Sequence, residues 1–307
     1  MAKLTQIQKL EVIPQAIERY LSENATNQVA LAKLAGIDKA YVNHIVKGND
    51  MIGKAKIADK YYEALAVAIG LKLEKSYWNH FNTFNFKQAI ITFENAREKK
   101  IRLGLDGDTG LGKTYAATLF KRKYPTSVFL VKCSSIENSK EFAVNLAEEV
   151  GVATTGTKGA IIKRVCQKLR TQGNNPMIII DEFENSKAGN IPTVKTIADE
   201  LQGYAAVVVI GIDVQKMLAK GAERRKNGFI QTNRRWSFGW TYLDPSIGED
   251  IESICIELGI TNKPAQNWLK ARVKDFDSLK NICTTALEEA EKTNQEVTIS
   301  LLNELYA

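Results

Sequence analysis

Apolar residues fall at two spacings along this chain, and the spacing changes near residue 100. Up to residue 72 they recur in short runs at helical period, which predicts helices over 7–23, 29–35, 39–46 and 54–69. Turns are expected at Gly36 and at Gly48-Asn49-Asp50. In the last of these helices Ile57, Tyr61, Leu65 and Ile69 recur every four residues as an apolar stripe. The stretch 72–85 is polar and aromatic, with Tyr77, Trp78, Phe81 and Phe84, and reads as a connector. Residues 86–99 have the pattern of a helix leading into the next domain.

From 101 to 243 strand and helix patterns alternate. Strands are predicted at 101–105, 128–132, 177–180 and 206–212, and helices at 114–123, 140–150, 160–171 and 194–201. The last strand is apolar on both faces, as a parallel sheet covered by helices on both sides requires. Residues 247–307 return to helices, at 248–258, 262–270, 277–291 and 299–306. The pattern therefore predicts an α/β chain in four parts: 1–72, a connector 73–100, a sheet core 101–243, and a helical part 244–307. No internal repeat is visible.

Composition is that of an ordinary globular protein, 44% hydrophobic and 25% charged over 307 residues. The longest apolar runs, at 177–180 and 205–212, are too short to cross a bilayer, so no membrane partner is expected. The first residues lack the apolar stretch of a signal peptide. Cys133, Cys166, Cys255 and Cys283 show no paired or metal-like spacing and read as reduced thiols of a cytosolic protein. Two histidines, His44 and His80, offer little for a zinc site or a triad. Charge is uneven: residues 244–307 hold 6 Lys and Arg against 12 Asp and Glu, whereas 1–243 hold 36 against 23. A basic body fits a polyanionic partner such as nucleic acid, or only an ordinary basic protein.

One motif carries strong chemistry. Gly107-Asp108-Thr109-Gly110-Leu111-Gly112-Lys113-Thr114 fits G-x-x-x-x-G-K-[ST] between a predicted strand and a predicted helix. Glycines let successive backbone N–H groups face a phosphate, and the helix N-terminus adds partial positive charge. Lys113 reaches the β/γ oxygens of ATP, and the Thr114 hydroxyl ligates Mg²⁺. The apolar run Met177-Ile178-Ile179-Ile180 ends in Asp181 and Glu182, 68 and 69 residues after Lys113. Asp181 would hold the Mg²⁺ shell and Glu182 would polarise the attacking water.

These motifs, with a later buried strand, paired arginines and a helical tail, resemble the AAA+ ATPases. The resemblance implies a P-loop AAA+ parallel sheet core and a C-terminal helical lid. It makes Asp213, after the strand 206–212, the nearest candidate for the polar sensor of the γ-phosphate. The family's usual residue there is Asn, Thr or Ser, and a carboxylate beside phosphates is repulsive. Phe276-Asp277-Ser278-Leu279-Lys280-Asn281 stands where the family has its second sensor, with Lys280 in place of an arginine. Lys280 keeps the charge and loses the bidentate fork. Residues 215–235 carry seven Lys and Arg against Glu223 alone. They serve either as an arginine finger, with Arg234 or Arg235 first and Arg224 and Arg225 behind, or as the lining of a DNA groove.

Residues 27–48 resemble the lambda-repressor-like helix-turn-helix. Ala32 is small where two helices cross, Gly36 supports the turn, Ile37, Val42 and Ile45 face the core, and Asp38 caps the second helix. In a DNA complex Lys39, Ala40, Tyr41, Asn43 and His44 would face the major groove, with Lys47 and Lys54 on phosphates. Such a hairpin also serves protein contacts.

A helix-turn-helix, an AAA+ core and a short helical tail in this order resemble the DNA-transposition ATPases of the phage Mu B kind. ATPases of the TnsC and IstB kinds share the core. That resemblance implies a cytoplasmic protein of a bacterium or phage-infected host. Its subunits, bound to ATP and Mg²⁺, would assemble as a helical filament on double-stranded DNA with little sequence preference. The filament would select the target and recruit a transposase, and hydrolysis would drive disassembly. In such filaments basic residues between the two nucleotide motifs track DNA, which points to Lys158, Lys163 and Arg164. A helix-turn-helix regulator set by ATP and a helicase loader are the alternatives.

Overall fold

The computed structural model describes residues 4, 6, 8–53, 55–71 and 77–306. Ile7 of the first predicted helix, Lys54 and the connector residues 72–76 lie outside that set. The elements run α1 (Ile13–Glu23), α2 (Gln28–Ala35), α3 (Lys39–Val46), β1 (Met51–Ile52), β2 (Ala55–Lys56), α4 (Asp59–Ala68), α5 (Phe84–Lys99), β3 (Arg102–Asp106) and α6 (Lys113–Lys123). They continue through β4 (Val128–Lys132), α7 (Ser139–Val150), α8 (Lys158–Thr171), β5 (Met177–Asp181), α9 (Ile191–Glu200), β6 (Ala206–Gly211), α10 (Val214–Glu223) and α11 (Phe229–Arg235). Last come β7 (Trp240–Tyr242), α12 (Gly248–Glu257), α13 (Lys263–Arg272), α14 (Phe276–Lys292) and α15 (Ile299–Tyr306). Two compact units emerge: Met1–Phe81 with Glu252–Ala271 and Leu279–Ala307, and Asn82–Ile251 with Arg272–Ser278.

In the first unit α2 and α3 form a helix-turn-helix. Asn27 caps α2 by accepting from the amides of Val29 and Ala30 at 3.0 and 3.1 Å. Gly36 ends it at φ +67°, where a side chain is strained, and the Ile37 amide closes back on Ala32 O at 3.0 Å. Asp38 then accepts from the Ala40 amide at 2.7 Å, as its sequence position predicts. Leu31, Ala32, Val42 and Ile45 form one core with Ile13, Ile17, Ile57, Tyr62 and Leu65. The expected stripe keeps Ile57 and Leu65 in the core, while the place of its Tyr61 is taken by the neighbouring Tyr62. Tyr62 is fully buried, and Tyr61 only packs against the cluster from outside. The C-terminal helices bury Trp268, Leu279, Cys283 and Leu302.

In the second unit five parallel strands lie in the order β4-β5-β6-β3-β7. Every residue of β5 and β6 is buried, because helices cover both faces. Phe142, Val165, Leu169, Val194, Ile197 and Leu218 cover one side. Helix α5 packs on β3, β6 and β7, so residues 84–99 belong with the sheet and not with the connector. The basic segment 215–235 is helical as α10 and α11, and β7 closes the sheet edge; neither follows from the apolar pattern. Among the described residues no helix is long and apolar enough to cross a membrane.

Gly104 shows how closely the edge is packed. A Cβ there would stand 2.2 Å from the Trp240 ring, whose indole donates to Trp236 O. Gly104→Ala is expected to destabilise the protein by about 1–3 kcal/mol through overpacking, read as a lower Tm or urea midpoint.

Candidate functional site

The site lies at the ends of β3, β5 and β6. Strand β3 runs into the glycine-rich loop, and Gly112, at φ +85°, turns the chain into α6. Lys113 and Thr114 are therefore the first two residues of a helix whose N-terminal amides point toward the loop. Asp108 and Thr109 are exposed at the loop tip, and Leu111 anchors it from the core. Gly107 and Gly110 cannot carry side chains without displacing neighbours. A Cβ would stand 2.9 Å from Leu243 Cβ at Gly107 and 2.5 Å from Asp275 Cβ at Gly110. At Gly110 the chain preceding α14 comes in, and the Phe276 amide donates to Gly110 O at 2.9 Å.

Lys113 is 8% exposed, and its Nζ donates to Gly107 O and Asp108 O at 2.6 and 2.7 Å. Burial pushes its pKa down, while Glu184, Asp181, Asp106 and Asp108 push it back up. Those carboxylates make the site electronegative, and a divalent cation would offset that charge for an incoming phosphate. Thr114 Oγ1 donates to Asp181 Oδ2 at 2.8 Å, setting two hard oxygens side by side with Thr114 open to solvent. This is a donor set for Mg²⁺, which binds through one or two protein oxygens plus phosphates and water. Among the described residues no group of three or more His, Cys, Asp or Glu could form a metal cage alone. Thr114 and Asp181 would hold magnesium there, and it would supply positive charge against phosphate oxygens.

Asp181 is buried, and burial raises its pKa; the bonds from Thr114 and from the Glu182 amide only partly offset this. For a carboxylate raised this way, the charged form costs stability above its folded pKa, and that cost is relieved as pH falls. Mg²⁺ needs the charged form. Mg²⁺-dependent nucleotide affinity is thus expected to weaken as pH falls, beginning at a higher pH than for an ordinary aspartate. Asp181→Asn should remove both the Mg²⁺ dependence and this pH dependence in a titration with a fluorescent nucleotide.

Glu182 stands in the left-handed region at φ +49°. Its carboxylate meets Lys132 Nζ at 2.7 Å and accepts from Asn185 Nδ2 at 3.2 Å. Asp213 carries its side chain outward, 64% exposed and paired with Lys216 at 2.7 Å. Its backbone amide, and not its carboxylate, faces the loop, where it donates to Asp106 Oδ1 at 2.7 Å. The acid placed at the sensor position therefore directs its charge into solvent. Lys280 is exposed on α14, in the first unit.

The paired arginines separate. Arg235 forks onto Asp199 through Nε and Nη2, the latter at 2.7 Å, and Lys195 adds a bond at 2.9 Å. Burial alone would raise Asp199; the bonds from Arg235 and Lys195 outweigh it and hold the carboxyl below its usual range. Arg235, expected as a finger residue, is thus committed within its own chain. Arg234 is exposed and unpaired. Arg235→Ala should cost about 1 kcal/mol in thermal or urea unfolding. Arg234→Ala should leave stability unchanged and lower only the turnover that depends on protein concentration.

Basic residues expected on DNA divide likewise. Lys39 and Lys47 are exposed on the helix-turn-helix, as are Arg224 and Arg225 at the end of α10. Tyr41 instead stacks on Tyr61, with centroids 3.8 Å apart and planes at 13°, while Asn43 and His44 are half-buried. Lys163 is exposed, and Lys158 reaches Ser139 Oγ at 3.4 Å. Arg164 donates to Ala153 O at 3.0 Å and to Thr155 O, so it holds the preceding loop together. That is a structural task in place of the expected DNA contact. Sequence reasoning missed Asp106, Lys132 and Glu184, which meet the site from other strands and loops. Glu184 follows the acidic pair by two residues, and that is its one visible signal.

Residues 102–218 match the family described as an AAA domain. No curated protein matches the chain. Among solved structures, Aeropyrum pernix ORC1, solved in complex with DNA, is similar at 17% identity and TM-score 0.52 over 72% of this chain and 63% of that one. Cdc6p from Pyrobaculum aerophilum is similar at 16% identity and TM-score 0.51, over 69% of this chain and 62% of that one. This chain thus spans less than two thirds of either protein, and at such identities the likeness is one of fold. A five-stranded parallel sheet with a phosphate-type loop between β3 and α6 and a helical C-terminal part is the P-loop AAA+ fold.

Proposed function

We propose that this chain is a Mg²⁺-dependent ATPase that assembles on double-stranded DNA with little sequence preference and recruits a partner enzyme there. The observation that carries the reading is the 2.8 Å contact between Thr114 and Asp181 beside a buried Lys113 turned onto the loop carbonyls. In it Lys113 and the loop amides take the phosphates, Thr114 and Asp181 the metal, and Glu182 the attacking water, with Arg234 acting on a neighbouring copy's site.

DNA binding is supported by the exposed cations Lys39, Lys47, Arg224, Arg225 and Lys163, and by a fold-level likeness to a protein solved on DNA. Tyr41 is occupied by Tyr61, and Asn43 and His44 are half-buried. The helix-turn-helix is left with phosphate-seeking lysines more than base-reading side chains, which favours non-specific binding over an operator-reading regulator. The resemblance to Mu B-type transposition ATPases makes a transposase the expected partner; a helicase is the competing one. In this account ATP favours the assembled state and hydrolysis releases it.

Anisotropy on two unrelated duplexes across a salt series tests the DNA part. Affinities within about threefold of each other, falling steeply with salt and rising with nucleotide, are expected. One duplex bound about 1,000-fold tighter, regardless of nucleotide, would instead identify a sequence-specific regulator.

A further inference from the structure

Helix α10 begins at Asp213 and Val214, yet Asp213 provides no side-chain cap and turns its carboxylate out to Lys216. The cap comes from 107 residues away. Asp106, the last residue of β3 and 4% exposed, accepts from the Asp213 amide at 2.7 Å and from the Gln215 amide at 3.3 Å. A buried carboxylate on two amides at a helix N-terminus is a charge-assisted contact that the helix dipole favours. Asp106 directly precedes Gly107, whose own amide donates to Gly211 O at 3.3 Å. Two adjacent residues at the root of the phosphate loop thus hold both ends of segment 211–215.

The other side of that segment is held as well. Glu184 accepts from the Ile212 amide at 3.2 Å. A Cβ on Gly211 would stand 2.0 Å from Glu184 Oε2 and 2.7 Å from Val214 Cγ2. Beyond it, α10 is tightly seated on α11: a Cβ on Gly221 would fall 1.9 Å from the Phe229 ring. Helix α11 carries the exposed Arg234 near its end. An unbroken chain of contacts therefore runs from the loop root through α10 to that arginine.

From this geometry we infer that Asp106 is a positioning residue: it couples the state of the phosphate loop to α10 and α11, and so sets where Arg234 stands. The inference rests on the ATPase reading and adds a route within the same unit. When phosphates take Lys113 from Gly107 O and Asp108 O, the peptide at Gly107 is released from the ammonium. The new negative charge also presses on the Asp106 carboxylate. Both effects act on residues 106 and 107, which join the loop root to segment 211–215 through the Asp213, Gln215 and Gly107 amides. Asp106 touches no reacting atom in this scheme.

Hydrogen exchange on the full chain tests it, comparing wild type with Asp106→Asn and Gln215→Pro, with and without a Mg²⁺-bound, slowly hydrolysed ATP analogue. Asn presents one acceptor where Asp presents two. Proline in the first helical turn deletes the Gln215 N–H and leaves Asp106 intact. In wild type, nucleotide should change exchange in peptides spanning 211–218 and 229–235 by about tenfold. Both variants should bind nucleotide within about threefold of wild type, while that change shrinks below about twofold and kcat falls at unchanged KM. A nucleotide response kept intact in both variants overturns the inference. So does loss of nucleotide binding and thermal stability together in both, which assigns Asp106 a merely structural role. A wild-type chain that binds no nucleotide sinks the ATPase reading and this inference with it, an outcome distinct from binding with unaltered coupling.

Discussion

Lys113→Ala should abolish Mg²⁺-ATP binding, with affinity reduced at least about 100-fold by calorimetry. The size follows from what surrounds the ammonium. Lys113 is buried, held at 2.6 and 2.7 Å by two loop carbonyls, and four carboxylates raise its pKa against the burial that lowers it. Removing it takes away the ammonium on which Asp106, Asp108, Asp181 and Glu184 act, and leaves the backbone amides and the metal to meet the phosphates. The fold should survive, because the two carbonyls that lose the ammonium, Gly107 O and Asp108 O, belong to a loop whose tip is exposed to water. A variant that still binds nucleotide within a few-fold of wild type would mean that the loop is not the phosphate site.

Glu182→Gln should give the opposite pattern: nucleotide binding close to wild type and turnover lowered by about 100–1,000-fold. The metal-binding role falls to Asp181, which accepts from the Thr114 hydroxyl, and not to Glu182. Its partners are Lys132 at 2.7 Å and Asn185 at 3.2 Å. To polarise a water it must exchange the Lys132 ammonium for that water, so Lys132 restrains the base in this arrangement. A single-turnover assay separates the step from release. A Glu182→Gln protein that hydrolyses ATP at the wild-type rate would remove Glu182 from the mechanism.

Much of this architecture is legible in the residue pattern, for physical reasons. Strands β4, β5 and β6 are continuous apolar runs because both faces are covered, and such runs stand out without any partner being known. The loop 107–114 and the pair Asp181 and Glu182 are local motifs whose spacing is set by phosphate and metal chemistry. What stays hidden is what depends on distant partners. The lysines and arginines of 215–235 mask a short buried stripe of Val214, Leu218 and Gly221, so α10 reads as a basic loop. Strand β7 has three residues and a single neighbour, too little to leave a period. Arg235 and Arg164 resemble free cations until Asp199 and the carbonyls of Ala153 and Thr155 are seen beside them. Asp106 looks like a strand-end acid, and only the fold brings the α10 amides onto it.

The same logic explains the helix-turn-helix. Its caps Asn27 and Asp38 act over two or three residues and are visible in sequence, whereas the burial of Tyr62, which leaves Tyr61 to stack on Tyr41, depends on packing of α4 against α1 and α3. The stacking engages one face of a candidate base reader, Tyr41, and shifts the functional account from reading bases toward holding the backbone.

The central claim is that nucleotide at Lys113 drives assembly along DNA of arbitrary sequence. Electron microscopy of the purified full chain with random-sequence duplex, with and without a slowly hydrolysed ATP analogue and Mg²⁺, tests it most directly. Continuous filaments that appear only with nucleotide, and are absent in Lys113→Ala, are the predicted result. Discrete particles confined to one site on the duplex, or filaments indifferent to nucleotide, would contradict it.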